Sequence, residues 1–204
     1  GVVSHDLRNP LMVATSHLEL ARDDLPDDHA EPMAENLDRM ETMIDDLLAM
    51  ARAGQTVEEM ESVLLHRVAD EAWNHLETSG GTFENTFPEG TVVEGERNRL
   101  LHVFENLYRN ALEHNDAPLT VRVGPLSEGA TGIGGFFVED DGAGIPEVER
   151  DEVFEQGYTT ATDGSGFGLT FVRDIVEAHG WDIRVCDSAS GGARFEIDGL
   201  DAVE

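Results

Sequence analysis

Residues 138–146 read VEDDGAGIP: an apolar approach, two carboxylates, then Gly142 and Gly144 one residue apart. A carboxylate at the end of an apolar strand only accepts hydrogen bonds, so Asp140 suits a donor such as the exocyclic amine of a purine. Glycines beside it let the backbone approach such a ligand closely. A lone pattern of this kind is equally an ordinary turn, and its neighbours on both sides decide between the two. Downstream, GSGFGLTFVRDIVEAHG (164–180) sets Gly164, Gly166 and Gly168 ahead of an amphipathic helix. Free N–H groups at a helix start, with glycines that permit close approach, bind phosphate. The stretch lacks the Gly-Lys-Ser/Thr ending of a P-loop and the strand-first setting of a dinucleotide fold. Upstream, FENLYRNALEH (104–114) places Asn106 and Asn110 four apart, on one helix face. An amide oxygen there can complete the shell of Mg²⁺, which takes most of its oxygens from phosphates and water.

Around these motifs, helices are expected at about Ser62–Glu77, Asn98–His114 and Gly168–His179. Strands are expected at Thr82–Phe87, Val92–Glu94, Leu119–Gly124, Gly135–Glu139, Asp182–Cys186 and Ala193–Ile197. This order predicts an α/β sandwich, with helices on one face of a mixed sheet.

The first 53 residues have a different period. Leu7, Leu11, Ala14, Leu18 and Leu25 follow a heptad seam, LPDDHAEP (25–32) interrupts it, and Met33, Leu37, Met40, Ile44, Leu47 and Ala51 resume it. Two such helices make an antiparallel hairpin. One hairpin buries a single stripe per helix and two make a four-helix bundle, so a homodimer through residues 1–53 is expected. The stretch RAGQT (52–56) marks the break, and residues 54–204 form the second unit. The fold class is therefore α+β, a helical hairpin followed by an α/β sandwich.

In this order the motifs resemble those of sensor histidine kinases, whose ATP-binding fold is shared with gyrase, Hsp90 and MutL ATPases. NLYRNALEH is similar to that family's N box, DDGAGIP to its first glycine box, VFEQGYTT (153–160) to its F box and GSGFGLTFV to its second glycine box. The resemblance covers most of residues 60–198. In the hairpin, SHDLRNPL (4–11) resembles the H box. It implies that Asp140, with Gly142 and Gly144, receives adenine. Asn110 is then the Mg²⁺ ligand with Asn106 beside it, Gly164, Gly166 and Gly168 hold the phosphates of ATP, and residues 147–165 form a lid anchored by Phe154.

By the same resemblance, His5 accepts the γ-phosphoryl group and passes it to the receiver domain of a response regulator. Asp6 holds the proton of the other ring nitrogen. Asn9, one turn on, positions water for dephosphorylation of that regulator. Pro10 removes a helical N–H and reads as a hinge next to His5. The chain departs from the family where Glu113 and Ala161 stand in place of lysines. Arg109, His114, Arg150 and Arg173 are candidates to supply the missing charge. These departures keep two rivals in view: an ATPase of the same fold, and a non-catalytic dimerising scaffold.

Composition bounds the partners. Of 204 residues, 43 are acidic and 13 basic, all of the latter Arg, for a net charge of -30. Such a charge repels nucleic acid and anionic lipid, so neither nucleic-acid binding nor direct membrane contact is expected. Acidity spread over both units, with no lysine, reads as the surface of a halophile's protein, whose repulsions salt screens. Cys186 alone excludes an internal disulfide and a Cys-based zinc site. No apolar run is long enough to span a bilayer, and no leader is expected. A cytoplasmic fragment is expected, cut from a longer protein that could be membrane-attached.

Overall fold

The structure, a computed structural model, describes residues 2–22, 25–26, 29–30, 32–34, 36–37, 40, 44, 60–76, 81–113, 115, 118–126, 128–129, 132–159 and 166–200. Helix α1 (Val2–Ala21) runs through Pro10 and ends before the expected Leu25. The described residues of the second hairpin segment are helical from His29 onward rather than from Met33. Pro32 thus sits near the start of that helix, where a missing N–H costs little. Most of residues 41–59 lie outside the described set, Leu47 and Ala51 among them.

The second unit is built on a five-stranded sheet. In chain order its elements are β1 (Glu61–Leu64), α2 (Leu65–His75), β2 (Thr82–Asn85), β3 (Val92–Gly95), α3 (Arg97–Glu113), β4 (Thr120–Pro125), a small hairpin of β5 (Glu128–Gly129) and β6 (Gly132–Ile133), β7 (Gly135–Asp140), α4 (Gly168–Ala178), β8 (Asp182–Asp187) and β9 (Ala193–Asp198). The sheet order is β2-β4-β7-β9-β8, parallel between β2 and β4 and antiparallel elsewhere. The parallel pair needs a crossover, which α3 supplies.

The helix expected to begin at Ser62 begins instead at Leu65. Residues 61–64 form a strand paired antiparallel with β3, and Ser62 Oγ donates to Glu94 at 2.6 Å. The helical period starts only beyond it, with Leu65, Val68, Ala69 and Ala72 buried. On α3 the stripe is Leu100, Val103, Phe104, Leu107, Tyr108 and Ala111, and on α4 it is Phe171, Val172, Ile175 and Val176. All three stripes join one core with the inward residues of the sheet. Phe136 of β7 has no exposure and packs against Phe104 and Phe87, with ring centroids 5.3 and 6.2 Å apart. Burying one such ring is worth about 2–3 kcal/mol. His179 belongs to this core as well. Its Nε2 accepts from the Glu96 N–H, its Nδ1 lies 2.7 Å from the Ile175 carbonyl, and burial pushes its pKa down.

Strand alternation aims the chemistry. On β7, Phe136, Val138 and Asp140 share the parity that faces the helices, while Phe137 and Glu139 face outward. Asp140 is therefore the last inward residue of the central strand, at the end where α3 and the glycine-rich turn converge.

Candidate functional site

Asp140 is buried, and two backbone donors fix it. Its Oδ1 accepts from Gly142 N–H at 2.8 Å and from Ala193 N–H at 3.2 Å. Among the described residues both bonds fall on Oδ1, which leaves Oδ2 as the oxygen available to a ligand's amine. Burial raises the carboxyl pKa, the two N–H bonds pull it partly back, and nearby Asp141 and Glu139 raise it further. The β8–β9 turn wraps the same residue. Ser188 Oγ donates to the Asp140 carbonyl at 2.7 Å and accepts from Gly192 N–H at 2.9 Å. A Cβ on Gly192 would stand 2.3 Å from both the carbonyl oxygen and Oδ1 of Asp140, so only glycine fits there.

A second cluster forms where α3 meets the start of α4. A Cβ on Gly168 would lie 3.0 Å from Asn106 Oδ1 and 3.8 Å from Asn110 Oδ1, so both amides face the first turn of α4. Asn106 is buried and anchored by its Nδ2, which donates to the His102 carbonyl at 2.9 Å. Asn110 Nδ2 is buried with no hydrogen-bond partner among the described residues. Among the described residues no side-chain hydrogen bond caps α4 at Phe167, and N–H groups at a helix start suit an anion. Gly166 adopts φ +70°, and the Gly157 N–H donates to its carbonyl at 2.9 Å, drawing the two sides of the intervening loop together. Gly164 lies outside the described residues, as do Ala161 and His114.

The lid expectation covers residues 147–165, of which 147–159 are described: two short 3₁₀ turns, Glu147–Glu149 and Glu152–Phe154. Phe154 is buried against Phe195, and its carbonyl accepts from Thr170 Oγ1 of α4. Of the candidates for the missing cation, Arg150 is bound to Asp187 at 2.5 Å and to the Ile145 carbonyl at 3.2 Å. Arg173 stands over the Phe154 ring, 6.0 Å from its centroid. His5, Asp6 and Asn9 lie in the first half of α1.

A hard oxygen donor facing the start of a helix suits Mg²⁺ and phosphate together, and Asn110 Oδ1 faces the first turn of α4. The residues present fit the metal. Among the described residues no three His, Cys, Asp or Glu side chains group for a metal.

Sequence reasoning passed over Ser188, Gly192 and Asn115, which frame the Asp140 loop. The paired glycines Gly191 and Gly192 were the visible signal for the turn. Asn115, five residues beyond Asn110, carried none.

The fold and these two clusters define a class: a two-layer α/β domain with an acceptor carboxylate on its central strand and paired amides facing an uncapped helix. Residues 95–203 match the family described as histidine kinase-, DNA gyrase B-, and HSP90-like ATPase, and the chain belongs to that family. Residues 1–56 match the His Kinase A (phospho-acceptor) domain. The sensor histidine kinase CpxA of Escherichia coli is 29% identical over 211 residues, covering 96% of this chain and 45% of CpxA. The chain thus spans about half the length of the curated relatives it matches. Among solved structures, the mycobacterial sensor histidine kinase MprB is 27% identical with a TM-score of 0.61, covering 71% of this chain and all of that one. Full-length ShkA, solved with AMPPNP, superposes with a TM-score of 0.69 over 99% of this chain and 45% of that one; at 22% identity it shows the fold alone. Among the described residues no helix is long and apolar enough to cross a membrane.

Proposed function

We propose that the chain is the catalytic core of a two-component sensor histidine kinase, which phosphorylates itself on His5 and passes the phosphoryl group to a response-regulator aspartate. The observation that carries this reading is the meeting of Asn106 and Asn110 with the uncapped start of α4, in a chain whose first helix holds His5. Asp140 would accept the adenine amine, with Gly142 and Gly144 in the loop beside it. Gly164, Gly166 and Gly168 would lie along the phosphates, and Asn110 would ligate Mg²⁺. The ion supplies charge neutralisation as the phosphoryl group moves. One ring nitrogen of His5 attacks the γ-phosphorus, the bond to the β,γ-bridging oxygen breaks, and ADP leaves with that electron pair. Asp6 holds the proton on the other ring nitrogen and stabilises the ring as it becomes positive. Asn9 orients water for the reverse duty, hydrolysis of the phosphorylated regulator.

The division at residues 53 and 54 and the homodimer belong to the same proposal. Exposed Met12, Val13, Leu20, Met33 and Met40 in the helical segment support the dimer. A cytoplasmic setting for this part of the protein and a salt-rich habitat are also part of the proposal, the latter supported by 43 acidic residues against 13 arginines.

Incubation with γ-labelled ATP and Mg²⁺ in high salt tests the reading. The expected result is acid-labile, base-stable label on the chain, absent from His5→Gln while nucleotide binding persists. Label that survives His5→Gln would overturn the site. Hydrolysis without label would favour the ATPase rival, and binding without either the scaffold.

A further inference from the structure

The two nucleotide clusters are tied together by one side chain. Asn115 stands two residues beyond the end of α3, half-buried. Its Nδ2 donates to the Ala111 carbonyl at 2.7 Å, and its Oδ1 accepts from Ala143 N–H at 2.9 Å. Ala111 follows Asn110, and its carbonyl is one of the last on the helix, where the ladder offers no donor. Ala143 lies between the two glycines that follow Asp140. A single amide therefore bridges the helix proposed to hold Mg²⁺ and the loop proposed to hold adenine.

The same contact accounts for Gly142. Its backbone is not among the positive-φ glycines, so an L side chain meets no conformational barrier there. The obstacle is Asn115: a Cβ on Gly142 would lie 2.2 Å from its Oδ1 and 2.5 Å from its Cγ and Nδ2, and these are the three nearest atoms. Gly144 is glycine for a different reason, since it adopts φ +73°.

We propose that Asn115 is a positioning residue of the nucleotide site: it holds the Asp140–Gly144 loop at a set separation from Asn110, and Gly142 is glycine to admit it. This rests on the nucleotide reading above. Base and metal then bind to parts fixed relative to one another before the ligand arrives, so little ordering cost falls on binding. Without the clasp, the loop and the helix each persist, but their spacing must be set by the ligand.

The 204-residue chain and its Asn115→Ala, Gly142→Ala and double variants test this, with a non-hydrolysable ATP analogue titrated with and without Mg²⁺. Asn115→Ala should weaken analogue binding about five- to tenfold, the worth of one hydrogen bond or a little more. The loss should fall mainly on the gain that Mg²⁺ confers. Gly142→Ala should bind worse than Asn115→Ala, and the double variant no worse than Asn115→Ala alone, because the obstructing amide is gone. Unfolding midpoints of the nucleotide-free variants should follow the same non-additive pattern, so a misfolded variant is recognised. A wild-type chain that binds no analogue overturns the nucleotide reading and this role with it. Wild-type binding with Asn115→Ala unchanged, or with the two substitutions additive, overturns only the role of Asn115.

Discussion

The helical segment and the α/β unit solve the burial problem differently. In the α/β unit, one cluster runs from Val63 to Leu200 and takes in three helices and both halves of the sheet. In the helical segment the described buried apolar residues are Leu11, Leu18 and Ala30, while Leu20 is 81% exposed and Met12 61%. The lesson is that one part completes its core within the chain and the other leaves apolar surface for something else to cover. A kinase of the proposed kind would gain from that division, with its nucleotide held by the part that completes its own core and its phosphoacceptor by the part that completes its core through association.

The sharpest way to break this comparison is a pair of truncations at buried and exposed positions. Phe136→Ala should cost the α/β unit about 3–5 kcal/mol in denaturant unfolding, since it empties a site at the centre of the aromatic cluster. Leu20→Ala should leave that transition unmoved and weaken self-association in sedimentation. Trp73 and Trp181 both lie in the α/β unit, so tryptophan fluorescence follows it alone. A shift of that fluorescence transition by Leu20→Ala comparable to the Phe136→Ala shift would show that the two parts share one core.

A smaller effect separates function from stability within the α/β unit. Burial raises the Asp140 pKa from its ordinary 3.8 despite two N–H bonds to Oδ1. Below the ordinary value the carboxyl is protonated in folded and unfolded chains alike, so its ionisation costs the fold nothing. As pH rises through the folded value, ionising Asp140 costs stability. Asp140→Asn keeps an acceptor for both N–H groups and removes the charge. Without nucleotide, its unfolding midpoint at neutral pH should therefore rise, and the gain should vanish below about pH 4, the ordinary aspartate range. Binding of the ATP analogue should fall tenfold or more, roughly the worth of a hydrogen bond to a charged group. A variant that loses stability and binding together would mean that Asp140 is structural.

These experiments also measure how far the sequence could be read. Elements with a strict period, such as the buried stripes of α3 and α4 and the alternation of β9, needed only local pattern, and their positions agree with the structure to within a few residues. Strand β1 was missed because Leu64 and Leu65 extend a helical-looking run, and its partner lies some thirty residues on, around Val92–Gly95. The site divided the same way. Asp140, Asn106, Asn110 and Gly168, singled out by their spacing, fall in the two clusters proposed to hold the nucleotide. Asn115 and Ser188 act on the Asp140 loop across contacts 28 and 48 residues long, which no window along the chain reveals. Gly142 read as room for a ligand, and the spacing did not reveal that a Cβ there would meet Asn115.

The smallest expected effects lie on the outer face of the sheet, where this acidic chain has gathered three of its arginines. Glu84, Arg122, Glu139, Arg194, Glu196, Arg184 and Asp198 form a continuous ladder of opposite charges across all five strands, with contacts of 2.5 to 3.3 Å. Its members are not equivalent. Arg184 is 60% exposed, and its pairs are screened by solvent, so Arg184→Ala should cost no more than about 0.5 kcal/mol and nothing measurable in molar salt. Arg194 is 20% exposed and lies 3.8 Å above the Phe137 ring centroid, while the Glu139 carboxylate beneath it is only 9% exposed. Arg194→Ala uncovers that ring and leaves Glu139 with Arg122 alone, a loss of about 1–2 kcal/mol that salt should not erase. Unfolding of both variants at low and molar salt gives the comparison. Equal salt dependence would mean the ladder is a solvated surface throughout; a salt-resistant cost at Arg194 alone would place the edge of the α/β core under its guanidinium rather than at the sheet.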